Sequence, residues 1–240
     1  MRPQLMTHCG GNVATLEDLR LVPLPEETSS YKPLSHYDLV MNIQRVASDM
    51  LRDHTFEKGS YALANNGSRL FGVHTYWTEA NDLALAIGFR NSYDKSMSVG
   101  IAIGASVFVC DNLMFTGTIT VLRKHTLNVI DDLETAILKV VYKARHQFTR
   151  ITESAEQLRS LPLEDDDAFK MLGLLFGHKV LTPRQLPVAR AEWLTPSHKA
   201  FQPRNSWSFY NAVTAALKST PPQRILERHL ALHDLMTKGT

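Results

Sequence analysis

Residues 58–124 hold six strand-like runs with little chain between them, and this stretch most constrains the fold. Tyr61–Ala64 and Leu70–Thr75 flank Asn65-Asn66-Gly67-Ser68, a strong hairpin turn because Asn and Gly tolerate positive φ. Leu83–Arg90 predicts a third strand. Met97–Ile103 and Ser106–Cys110 predict a fourth and a fifth, with Gly104-Ala105 as a bend or tight turn. Gly117–Lys124, with β-branched Thr118, Ile119, Thr120 and Val121, predicts a sixth. Parallel strands need longer crossovers than these connections supply. The expected class is α+β: an antiparallel β-meander of about six strands with a long helix packed on it and a C-terminal group of helices.

Around this centre the sequence divides into 1–57, an N-terminal arm and helix; 58–160, the meander and the long helix; and 161–240, the C-terminal helices, forming one compact unit with the meander. Pro23, Pro25 and Pro33 punctuate the arm, with a short strand expected near Leu19–Val22. Ser35, three residues before Asp38, opens a helix carrying Leu39, Ile43, Val46, Ala47 and Met50 at helical spacing. The long helix spans about 128–160. Asn128 caps it, Asp131 and Asp132 suit its positive end, and Leu133, Ile137, Val140, Ala144, Phe148, Ile151 and Ala155 form one apolar stripe. Later helices are expected at about 165–176, 183–192 and 206–218, with a last one opening at Pro222 and reaching about Lys238.

Composition narrows the function classes. Net charge is only +2, so binding to a polyanion must rest on local charge segregation. Two cysteines, Cys9 and Cys110, exclude a four-cysteine zinc site within one chain. The N-terminal residues lack a signal peptide's apolar core, and no apolar run approaches the roughly 20 residues of a membrane helix. A cytoplasmic protein with no membrane partner is expected. P-loop, G-x-G-x-x-G, G-x-S-x-G and H-E-x-x-H motifs are absent.

Three spaced motifs carry a family resemblance. They are Gly88-Phe89-Arg90-Asn91-Ser92-Tyr93-Asp94-Lys95-Ser96, then Val107-Phe108-Val109-Cys110-Asp111-Asn112, then Trp207-Ser208-Phe209-Tyr210-Asn211-Ala212-Val213-Thr214. Together they resemble the uncharacterised phage and plasmid family known as domain of unknown function 932. Tyr93 departs from that pattern, which expects a small residue or histidine there. The resemblance implies a mobile-element origin and no particular mechanism.

The Arg90–Ser96 segment, read as a loop, offers Arg90, Asn91, Ser92, Asp94, Lys95 and Ser96, and with Asp111 and Asn112 it suits a phosphate or nucleotide. The alternative is a turn whose polar groups satisfy their own backbone. Cys110 at a strand end is a nucleophile only with a base beside it, His74 or His125 for instance, and otherwise a small hydrophobe. Asp94 with Asp111 suggests a two-carboxylate nuclease site, and His229 with His233 lie one turn apart on the last helix without the third ligand that zinc needs. No metal or other cofactor is expected.

On the long helix Lys139, Lys143, His146 and Arg150 lie away from the apolar stripe, and Arg123 and Lys124 extend them. This is either a phosphate-tracking stripe or a solvated face. Trp207, Asn211 and Thr214 mark the third motif, whose aromatics either stack on bases or fill the core. Three functions follow as expectations. The first is a nucleic-acid-binding protein of a mobile element, homo-oligomeric and acting on single strands in recombination or replication; a meander followed by a long helix is similar, at the level of fold alone, to single-strand annealing proteins. The second is a counter-defence protein that binds a nucleotide signal or a host enzyme. The third is the metal-dependent nuclease.

Overall fold

A computed structural model describes residues 11–78, 83–107, 112–115, 120–122, 129–221 and 223–238, with side chains left aside at 120–122, 129–132 and 238. The fold is α+β, and its centre is the predicted antiparallel meander. Strands β1 (Asn12–Ala14), β2 (Thr55–Ala64), β3 (Arg69–Trp77), β4 (Leu83–Ser92), β5 (Val99–Val107) and β6 (Leu113–Phe115) lie side by side in that order. A seventh, β7 (Thr120–Leu122), pairs with Val99–Ile101 of β5, while β6 pairs with Gly104–Ser106 of the same strand.

The β2–β3 hairpin turns where the sequence placed it. Asn65, Asn66 and Gly67 take φ of 51°, 53° and 83°, and the Ser68 N–H donates to the Asn65 carbonyl. Side chains alternate between two faces. Leu85, Ile87, Phe89, Ile101 and Ile103 enter the main core; Phe71, Val73, Ala86, Ala102 and Phe115 form a second cluster on the other face.

Helix α2 (His36–Met50) is capped by the Ser35 side chain, which accepts from the Asp38 N–H. Helix α3 (Val129–Ser160) lies across β5 and β7 beside α2, burying the predicted stripe from Leu133 to Ala155 and, beyond it, Leu158. Helices α4 (Asp165–Gly177), α5 (Leu186–Leu194), α6 (Ser206–Leu217) and α7 (Ile225–Lys238) follow, with a short 3-10 helix at Lys199–Phe201. Ile225 and Leu226 of α7 pack on the second face of the sheet, and Leu232 and Met236 return to the main core, so α7 wraps the β6 side. No helix among the described residues is long and apolar enough to cross a membrane.

Three expectations need correction. Leu19–Val22 is not a strand: Leu16–Leu21 form helix α1, because Thr15 and Asp18 close a reciprocal capping box. Gly104-Ala105 is neither bend nor turn, since β5 runs straight through. The glycine is needed for closeness: a Cβ there would stand 2.5 Å from the Met114 carbonyl oxygen and 2.5 Å from Phe115 Cδ1. Arg90–Ser92 belong to strand β4 rather than to a loop. The expected roles of Asn128 and Pro222, and of Asp131 and Asp132 as side chains, lie outside the described residues.

Candidate functional site

The first motif is spent largely inside the fold. Arg90, at the end of β4, donates from Nη1 to the Gln223 carbonyl (3.1 Å) and Glu227 Oε1 (2.5 Å), tying the sheet to α7. Asn91 points to the opposite face, where its Nδ2 donates to the Leu34 carbonyl (2.7 Å) and to His36 Nδ1 (3.0 Å). An amide nitrogen that donates to His36 Nδ1 leaves the ring's proton on Nε2, which donates to the Gly67 carbonyl at 3.0 Å. Ser92 Oγ closes the turn by donating to the Met97 carbonyl and accepting from its N–H. Tyr93 stacks on His36 with ring centroids 3.9 Å apart and accepts from the His36 N–H.

Asp94 knots this turn to the β2–β3 hairpin. Its carboxylate accepts from Asn65 Nδ2 (2.9 Å), Arg69 Nε (2.6 Å) and the Ser96 N–H (3.0 Å). Burial alone would raise its pKa; these hydrogen bonds outweigh burial and bring it down to about 2. Lys95 takes a left-handed φ of 59° and lays its ammonium over the Tyr31 ring, 4.4 Å from the centroid.

The second and third motifs meet each other instead. Asn112 Nδ2 donates to the carbonyl (3.2 Å) and Oδ1 (3.1 Å) of Asn211. Asn211 Nδ2 donates back along α6 to the Trp207 carbonyl, and Thr214 Oγ1 donates to the Asn211 carbonyl. Trp207, Phe209 and Tyr210 are all buried, so the expected base-stacking set is core here. Asn112 does not reach the Arg90–Ser96 segment. Arg90 pairs with Gly100, and Leu113 pairs with Ser106, six residues further along β5. Six strand residues span about 20 Å, so the two motifs mark opposite ends of the sheet. Cys110, Asp111, Arg123 and Lys124 lie outside the described residues.

Sequence reading named His74 only as a possible base beside Cys110 and missed its place at the centre of the main core. His74 is fully buried, and the rings of Phe56, Tyr61, Tyr76 and Phe89 all pack edge-on to it. Its Nε2 lies 3.0 Å from the Tyr61 hydroxyl. Burial brings its pKa down to about 3 and raises that of Tyr61 to about 12. The available signal was a histidine at a core-facing strand position between aromatic neighbours. His229 is also neutral by burial, down to about 4, though a hydrogen bond to the Leu113 backbone opposes the shift. Among the described residues no group of three His, Cys, Asp or Glu side chains could hold a metal ion.

The most accessible candidate surface is the outward face of α3. Lys139, Tyr142, Lys143, His146 and Arg150 fall within a sector of about 100° opposite the buried stripe. Tyr142 is 77% exposed. Cations nearer α2 are paired: Arg45 with Glu134, and Arg145 with Asp53. Lys139, Lys143 and Arg150 have no ion-pair partner among the described residues. From Lys139 to Arg150 the face spans about 16 Å at 1.5 Å per residue.

Comparison with curated proteins and with solved structures finds no match. The sequence profile of the family described as Domain of unknown function (DUF932) matches residues 31–231. That span runs from Tyr31, beneath Lys95, to Ala231 in α7 and takes in all three motifs. The chain therefore belongs to the DUF932 family.

Proposed function

We propose that this chain is a nucleic-acid-binding protein of a mobile genetic element, acting in the cytoplasm on single strands during recombination or replication. The observation that carries this reading is the outward face of α3, with three exposed cations that have no ion-pair partner among the described residues, around a tyrosine that projects into solvent. Such cations draw a phosphate backbone electrostatically, and an exposed aromatic ring stacks on a base at about 1–3 kcal/mol. With a net charge of only +2, the attraction comes from this face rather than from the molecule as a whole. The counter-defence reading and the nuclease reading draw no comparable support. Arg90, Asn91 and Ser92 are engaged within the chain, and so is the Asp94 carboxylate.

Fluorescence anisotropy with a labelled single-stranded oligonucleotide tests the reading. Three phosphate contacts predict that log K falls against log salt with a slope of about −2. Replacing Lys139, Lys143 and Arg150 by alanine flattens the slope, whereas Tyr142→Ala weakens binding and leaves the slope in place. No binding at low ionic strength, or a slope unchanged in the triple variant, rejects it.

A further inference from the structure

The exposed apolar side chains of α3 stand together. Leu138 is 40% exposed and Tyr142 is 77% exposed, and four residues apart they share one side of the helix. At 100° per residue from Leu138, Tyr142 lies about 40° round the axis, His146 about 80°, Lys139 about 100°, Arg150 about 120° and Lys143 about 140°. The outward face is therefore divided lengthwise. Leu138 and Tyr142 make an apolar column, and Lys139, Lys143, His146 and Arg150 make a basic column beside it.

The two flanks of the apolar column differ in charge. On the side toward α2, Arg45 pairs with Glu134 at 2.7 Å and Arg145 pairs with Asp53, so the charges there cancel. Arg45 also stands 3.9 Å from Asp49. On the other side Lys139, Lys143 and Arg150 are exposed, with no ion-pair partner among the described residues. Exposed Glu153, about 60° round, follows Arg150 and ends the positive stretch.

This asymmetry orients a bound strand. Phosphates are drawn to uncompensated cations, whose counterions leave as the strand arrives. The backbone therefore settles on the basic column, and the apolar surface beside it is Leu138 with Tyr142. The tyrosine ring stacks on a base, and the leucine side chain covers more of that base, removing apolar area from water. A duplex offers the same phosphates to the cations but keeps its bases paired and stacked inside, so it gains only the electrostatic part.

We infer that Leu138 and Tyr142 form a base platform beside the phosphate column of α3, and that this platform, not the cations, makes the face selective for unpaired nucleotides. The inference rests on nucleic-acid binding at α3 and adds Leu138 as a residue that sets its selectivity. Stacking tolerates any base, because every base has a π-face, so the selectivity is for single strands rather than for sequence.

Fluorescence anisotropy of the full chain tests this with three probes: an oligothymidine, an abasic strand of the same length and charge, and a duplex of that length. The wild-type chain should bind oligothymidine about tenfold more tightly than the abasic strand, the gain from a stacked base, and should prefer it to the duplex. Leu138→Ser and Tyr142→Ser should each shrink the lead over the abasic strand, with helical circular dichroism retained because both side chains are exposed. Tyr142→Phe, which keeps the ring, should hold that lead. Equal affinity for the oligothymidine and the abasic strand, with the salt dependence present, overturns the inference and leaves nucleic-acid binding at α3 standing. So does a Leu138→Ser chain that loses both strands equally. A chain that binds no strand at low ionic strength overturns both.

Discussion

Asn112 and Asn211 stand ninety-nine residues apart in sequence, yet the amide of the first donates to both the side chain and the backbone carbonyl of the second. Both are buried. This contact joins the edge strand β6 to helix α6. Asn112→Ala removes both donors and leaves Asn211 Oδ1 without this partner, so a loss of about 1–3 kcal/mol is expected. Asn211→Ala should cost a similar amount, and the double variant clearly less than the sum. Urea midpoints at unchanged m-value measure this; additive losses would mean that the two amides do not act together.

Asp94 predicts an acid-side stability loss. Its carboxyl sits at about 2 in the folded chain, against an ordinary value of 3.8. A depressed carboxyl stabilises fully above the unfolded value and loses that contribution as pH falls from 3.8 through 2, because the unfolded chain binds the proton first. Allowing for solvent screening, the contribution is about 1 kcal/mol. Asp94→Asn should lower stability at pH 7 and flatten the pH dependence below 4. A parallel shift of the whole curve would contradict it.

His74 acts in a higher window. Its folded value of about 3 lies below the ordinary 6.5, so the native state holds it neutral. Stability is fully present above pH 6.5 and declines as pH falls through the interval down to 3, by about 1.4 kcal/mol per pH unit at the steepest. His229 adds to the same slope down to about 4. Thermal melts of His74→Gln between pH 4 and 7 should show a shallower dependence than wild type, although Gln costs stability at pH 7. Equal slopes would place the acid sensitivity elsewhere.

Gly104→Ala separates a tight approach from a turn. A methyl group there strikes the Met114 carbonyl and the Phe115 ring, so a loss of about 1–3 kcal/mol is expected. Gly173→Ala, with open space around it in the helix, should instead raise the melting temperature. Opposite signs at two glycines of one chain are the readable outcome.

What could be read from sequence was local. The Asn65–Ser68 turn, the Ser35 cap and the apolar stripe of α3 each follow from residues a few positions apart. Gly104 misled because a glycine in a strand marks either a bend or a close neighbour, and only the position of Phe115 decides. Arg90 and Asn91 looked available because their partners, Glu227 and Leu34, lie 137 and 57 residues away. No pattern along the chain carries those pairings. The α3 face was legible for the opposite reason: its cations keep their solvent exposure, so helical spacing alone located them.

The outer side of β5 has one more consequence. Val99–Val107, an almost wholly apolar run, is covered by two consecutive three-residue strands, β6 and β7, with Ala102 and Ile103 between them. A single long neighbour, once displaced, would bare the whole ladder and offer a template for stacking into fibrils. Two short covers divide that ladder into two separate pairings. The loss of either one exposes three residues, too few to seed such growth, so the divided border is a safeguard against aggregation built into the order of the strands.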